Sequence, residues 1–219
     1  MSVSWEDACT VLGVGMFRDR SDAGAQLGRE LAHLAAQAPV VVGLARGGVP
    51  VAREVADVLG APLDVLVVRK LGAPGREEFA LGAIGEGVRV MNDRAVRALR
   101  VSEEQIAAIE ARERQELERR TAMYRGGRAP VELRGRVVVV VDDGIATGAS
   151  AIAACEVARA RGADRIVLAA PVTPADWRPE APVDELVTVI ASRELSAIGR
   201  WYEDFSQVTD SEVMAALGR

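Results

Sequence analysis

The chain has 219 residues, 49% hydrophobic and only 4% aromatic, with 27 Lys+Arg against 32 Asp+Glu and a formal net charge of −5. That length allows one large domain or two small ones, with a core that Val, Leu, Ile and Ala must fill. The acidic balance shows no basic stripe for nucleic acid, and no stretch reaches membrane-spanning length.

Residues 1–16 are weakly patterned and are expected to form an arm. No basic region followed by an apolar run marks them as a secretory signal, so a cytoplasmic protein is expected. Over residues 21–37, Leu27, Leu31 and Leu34 recur at helical spacing, with Ser21 as the expected N-cap. His33, the one histidine, lies among alanines on that helix and reads as surface or core edge. Residues 40–45 (VVVGLA) read as a buried strand. Gly47-Gly48 then opens a helix through Leu59, and residues 63–68 (LDVLVV) form the next strand. Strand, helix and strand in that order predict a right-handed crossover in a parallel sheet.

Residues 71–87 carry five glycines and a proline and read as a long mobile loop of the kind that closes over a site. Residues 93–128 read as one solvated helix, with i, i+4 pairs Glu110–Arg114 and Glu116–Arg120, ended by Gly126-Gly127. A strand over Val137–Val141 and a helix over 147–161 follow, with Cys155 as apolar filler and far from Cys9. Strands are expected over 165–170 and 186–191. Beyond 192 the pattern is weak, and the segment is expected to form a hood or tail. The sum is a single α/β domain: a doubly wound, mainly parallel sheet of about five strands flanked by helices.

The most informative stretch is VVVVVDDGIATGAS, residues 137–150. A β-branched run too short for a helix reads as a buried parallel strand. Asp142 and Asp143 then fall at its carboxyl end, where open α/β sheets bind ligands. Residues 144–150 turn into a helix N-terminus, whose free N–H groups and positive dipole end suit a phosphate. An acid pair for hydroxyls or a metal, with an anion cradle one turn away, suits a ribose 5-phosphate. Receiver domains also place acids after a hydrophobic strand, but near their N-terminus and without a Thr-Gly-x-Ser turn.

Two more strand ends carry chemistry. Ala45-Arg46-Gly47-Gly48 offers an arginine, close backbone approach and a helix start, hence a second anion site. Arg69-Lys70 places two cations at a strand end, useful for holding an oxyanion. No Ser-His or Cys-His nucleophile pair is present, and one histidine excludes a histidine-rich metal site.

Asp142-Asp143-Gly144-Ile145-Ala146-Thr147-Gly148-Ala149-Ser150 resembles the phosphoribosyl-diphosphate (PRPP) signature of the type I phosphoribosyltransferases. The 45–48 loop resembles that family's diphosphate loop, which implies a cis peptide between Ala45 and Arg46. Arg69-Lys70 resembles the start of the mobile catalytic loop. The three motifs stand in the family's order, and the likeness covers residues 17 to 210. Residues 69–87 and the closing segment are similar to a bacterial subgroup known only as predicted phosphoribosyltransferases.

The resemblance implies that Asp142 and Asp143 grip the ribose hydroxyls and, directly or through water, Mg²⁺. It implies 5-phosphate binding by Ala146, Thr147, Gly148, Ala149 and Ser150, diphosphate binding with Mg²⁺ by Arg46, Gly47, Gly48 and Lys70, a further substrate contact at Gly144, and Asp142, Asp143, Arg69 and Lys70 as the catalytic residues. Ala146 stands where 6-oxopurine enzymes usually carry aspartate and adenine or uracil enzymes carry alanine, which tilts away from hypoxanthine or guanine. Trp201, Tyr202 and Phe205 either stack on a planar acceptor in a hood built from the termini or dock the tail on the sheet. The implied activity is Mg²⁺-dependent transfer of 5-phosphoribosyl from PRPP to a nucleobase or similar acceptor, with diphosphate release, often by a homodimer. The alternatives are a regulator that keeps the site as a PRPP or nucleotide sensor, and hydrolysis or transfer to a non-base acceptor.

Overall fold

The computed structural model describes residues 16–179 and 182–218. The expected N-terminal arm, apart from Met16, lies outside the described residues, as does Cys9. In chain order the elements are α1 (Arg20–Glu30), a 3₁₀ turn (Ala32–Gln37), β1 (Val40–Leu44), α2 (Gly48–Leu59), β2 (Leu63–Leu66) and β3 (Val68–Ala73). Then come β4 (Arg76–Gly85), β5 (Val88–Met91), α3 (Asp93–Leu99), α4 (Glu103–Arg125) and β6 (Val137–Val141). The chain continues through α5 (Ala149–Ala160), β7 (Arg165–Pro174), β8 (Glu185–Ser192), a 3₁₀ turn (Ile198–Trp201) and α6 (Asp210–Ala216).

The valine strand shows how the sequence makes the layers. Successive side chains of a strand face opposite sides. Val139 and Val141 of β6 enter a core with Leu27 of α1, Leu31 just past its end, and Val51 and Val55 of α2. Val138 and Val140 enter the opposite core with Ala154, Cys155 and Ala158 of α5. A strand apolar on both faces belongs inside a sheet covered on both sides, and the sheet order is β2-β1-β6-β7-β8, all parallel. β1 leads through α2 to one side and β6 leads through α5 to the other. The strand order therefore reverses between β1 and β6, which opens a crevice at their carboxyl ends.

Residues 71–87 are not an irregular loop. They lie mostly in an antiparallel sheet, β3-β4-β5. Two of the glycines that suggested a loop instead make tight turns at positive φ, Gly75 (φ 70°) and Gly87 (φ 71°). Gly82 lacks a side chain because the Val90 carbonyl occupies that space. The charged segment 93–128 is two helices rather than one. Arg100 takes a left-handed conformation (φ 51°), and Ser102 restarts the chain with a capping box to Gln105. Both i, i+4 pairs form.

Asp19, not Ser21, caps α1, accepting from the Asp22 N–H at 2.8 Å. β7 runs to Pro174 because β8 continues to pair with it as far as Ser192. The tail holds a short helix, capped by Thr209 with Glu212. Cys155 is buried, and that burial pushes its thiol up to about 12. His33 is exposed and meets Glu185 at 3.1 Å. No helix among the described residues is long and apolar enough to cross a membrane.

One buried ionic cluster ties the two sheets together. Arg125, at the end of α4, bonds Asp64 of β2 and reaches Glu86, between β4 and β5, at 2.7 Å. Asp64 is 2% exposed and also accepts from the Val131 N–H at 2.9 Å. Removing one partner strands a buried charge, which costs about 3–5 kcal/mol. Arg125→Ala is expected to lose that much in urea unfolding, whereas Arg128→Ala, at an exposed position, should shift stability by less than about 0.5 kcal/mol.

Candidate functional site

The crevice is built from two loops packed directly on each other. After β1, the Ala45–Arg46 peptide is cis, and α2 begins at Gly48. After β6, the Asp142 N–H still donates to Ala169 at 3.1 Å, so the first acid leaves the sheet in register. A Cβ on Gly47 would overlap the Asp143 carboxylate, and one on Gly48 would overlap the Val141 carbonyl. Glycine is needed at both positions for β1's loop to lie against the acids.

Buried Ile145 anchors the acidic turn, its N–H donating to the Val172 carbonyl at 2.9 Å. Gly148 takes φ 79° with the Trp177 ring against it, and α5 starts at Ala149. Among the described residues, none of the backbone N–H groups of 146–150 finds an acceptor in the protein. Five donors at a helix start, with the Thr147 and Ser150 hydroxyls beside them, make an anion cradle. Ala146, Thr147 and Ser150 are exposed, so the cradle is open to solvent.

The acids are held unequally. Asp142 Oδ1 accepts from the Asp143 N–H at 2.9 Å. Burial first, and the Asp143 carboxylate second, push the Asp142 carboxyl up to about 8. Asp143 Oδ2 accepts from Arg20 Nε at 2.9 Å and lies 2.8 Å from its Nη2. Arg20 also donates to the Ser206 carbonyl at 2.8 Å and lies 4.0 Å over the Phe205 ring. Sequence reading missed Arg20, which is 123 positions from its partner; the only local signal was a charged residue opening a helix.

The three aromatic candidates separate. Tyr202 is 4% exposed, between Phe17 (5.3 Å between centroids) and Phe205 (4.8 Å), and its hydroxyl donates to the Asp143 carbonyl at 2.6 Å. Burial raises its hydroxyl pKa, so it stays a donor. That ring docks the tail rather than facing a ligand. Trp201 packs half-buried in the same cluster. Phe205 alone lines a cavity of about 330 Å³, with Arg20, Arg46, Gly47, Asp143, Gln207 and Val208.

A second cavity has a volume of about 340 Å³. Arg69, Lys70, Ala45 and Ser150 line it, together with Arg112, Glu113 and Arg120 of α4. The helix read from sequence as a solvated surface therefore contributes to the site. Arg69 does not stand alone: its Nη2 meets Glu113 at 2.6 Å. No group of three or more His, Cys, Asp or Glu placed to hold a metal occurs among the described residues.

A doubly wound sheet with an acid pair and an anion cradle at its switch point defines a class of nucleotide- and sugar-phosphate-binding proteins. The sequence model described as "Phosphoribosyl transferase domain" matches residues 21–208, and the chain belongs to that family. It is 53% identical over 207 residues to "Putative phosphoribosyl transferase Rv0571c" of Mycobacterium tuberculosis, covering 93% of this chain and 47% of the relative. The chain thus spans about half the length of the curated relatives it matches. The crystal structure of TT1426 from Thermus thermophilus is similar at 46% identity and a TM-score of 0.84, covering 92% of this chain and 97% of that one.

This geometry has two measurable consequences. Folding lifts the Asp142 pKa from an ordinary carboxylate value to about 8, so the native state binds the extra proton and stability falls as pH rises through that window. Asp142→Asn removes the effect: its melting temperature relative to wild type should climb from about pH 5 to pH 8 and level off above, as read by thermal unfolding at fixed salt. Gly47→Ala should displace the Asp143 side chain, which loss of the Arg20 contact in a crystal structure of the variant would report.

Proposed function

We propose that the protein is a Mg²⁺-dependent phosphoribosyltransferase that moves the 5-phosphoribosyl group of PRPP to a nucleobase or similar acceptor and releases diphosphate. The observation that supports this most is the set of acceptorless N–H groups at 146–150, one turn from the Asp142–Asp143 pair at the switch point. The 5-phosphate takes the N–H groups and the Thr147 and Ser150 hydroxyls. The ribose hydroxyls take Asp142 and Asp143. Arg46, Gly47, Gly48, Arg69 and Lys70 hold the diphosphate. The acceptor enters from the Phe205 side.

In the reaction the C1–O bond breaks, the diphosphate leaves with the electron pair, and an acceptor nitrogen bonds to C1. Negative charge grows on the leaving group, and cations and amides fixed around it stabilise that change more than the ground state. The donor set fits Mg²⁺ as a shared rather than caged ion: two carboxylates, with the remaining oxygens from water and substrate. When bound, the ion neutralises charge on the diphosphate.

The test is diphosphate release from PRPP and Mg²⁺ with a panel of bases. Acceptor-dependent release is expected, falling by about 100-fold or more in the Asp142→Asn, Asp143→Asn variant. PRPP binding with no turnover on any acceptor would make the protein a sensor, and release without a base would make it a hydrolase or a transferase to another acceptor.

A further inference from the structure

We infer that α4 forms the outer wall of the diphosphate end of the site: Arg112 and Arg120 bind the diphosphate, and Glu113 is the positioning residue that aims Arg69 and Arg112 at it. This rests on the PRPP reading above.

Charge points to α4 first. In a chain of net charge −5, Arg69, Arg112 and Arg120 line one cavity of about 340 Å³, and among the described residues Glu113 is the acid that lines it with them. Guanidinium groups gathered around an open cavity suit an anion. The cavity is continuous with the catalytic loops, because Ala45 and Ser150 line it too.

The guanidinium groups are also held in a way that leaves donors for a ligand. Arg69 gives its Nε (2.9 Å) and Nη2 (2.6 Å) to Glu113 Oε2. Arg112 gives its Nε to Glu113 Oε1 at 3.1 Å, and Arg120 gives its Nε to Glu116 at 2.6 Å. A glutamate thus grips each group along its Nε edge. Among the described residues, Nη1 of Arg69 and both Nη atoms of Arg112 and Arg120 make no hydrogen bond. Those are the donors that match phosphate oxygens.

Glu113 completes the arrangement. It is 8% exposed, and a carboxylate that deep is tolerated because two arginines from different elements, β3 and α4, meet it. Glu113, Glu116 and Arg120 recur at three and four positions, which puts them on one stripe of α4. A stripe of exposed ion pairs would add little to stability. Facing a cavity, the same stripe sets cation direction.

The test is calorimetric titration of the full chain with PRPP–Mg²⁺, inorganic diphosphate–Mg²⁺ and ribose 5-phosphate. Arg120→Gln and the Arg112→Gln, Arg120→Gln pair should weaken PRPP and diphosphate by about 10-fold or more. Ribose 5-phosphate affinity should stay at wild-type strength, a selectivity that a general structural defect would not give. Glu113→Gln should weaken diphosphate in the same direction, and Glu113→Asp should restore part of the loss. Arg112 is mostly exposed, so its variant tests binding even if Glu113 variants fold poorly. Unchanged diphosphate affinity in the double arginine variant overturns the α4 assignment alone. Failure of the wild type to bind PRPP or ribose 5-phosphate overturns the PRPP reading, and this inference with it.

Discussion

Two adjacent carboxylates at the rim of a sheet repel each other and resist burial, so something must hold at least one of them in place. Arg20 does this for Asp143, placing Nε and Nη2 on one carboxylate oxygen at 2.9 and 2.8 Å. The contact is charge-assisted and mostly shielded from solvent, with side chains 12% and 18% exposed. Phe205 lies under the guanidinium and the Ser206 carbonyl fixes its remaining edge. The start of α1 and the tail therefore both depend on the acid that follows β6. Tyr202 adds a second tie, through the backbone of the same residue. Burial first, and the neighbouring Asp143 carboxylate second, raise the pKa of Asp142.

The reversal of strand order supplies the space. β1 and β6 are neighbours, and their following helices leave to opposite sides. The loops at 45–48 and 142–150 must then share one crevice, and Gly47 and Gly48 let them touch without side chains between. The acid pair, the acceptorless amides of 146–150 and the 45–48 loop fall within that crevice because of topology, not because they are close in sequence. The antiparallel β3-β5 sheet and α4 close its far side, and the Arg125–Asp64–Glu86 cluster ties both to β2.

What could be read from sequence was what is encoded locally. The valine run and the two acids define strand, strand end and turn within one short segment, so the central motif, the parallel sheet and the family likeness were legible. Residues 71–87 were misread because glycine marks loops, hairpin turns and close strand packing alike, and only pairing with β3 and β5 distinguishes them. The division of residues 93–128 was visible in Ser102 and Gln105, a capping box inside a charged run, as was the last helix in Thr209 and Glu212. Arg20 and the α4 stripe were not legible. Their partners lie in distant segments, and i, i+4 charge pairs look the same whether they face water or a cavity.

A phosphorylated sugar lying across the β1–β6 crevice is the claim on which the proposed chemistry stands. The most direct measurement is a crystal structure of the chain grown with PRPP and Mg²⁺. The 5-phosphate should sit on the amides of 146–150 and the ribose hydroxyls on Asp142 and Asp143, with the diphosphate between the 45–48 loop and Arg69. Density for the sugar phosphate elsewhere, with those amides facing only solvent, would contradict it.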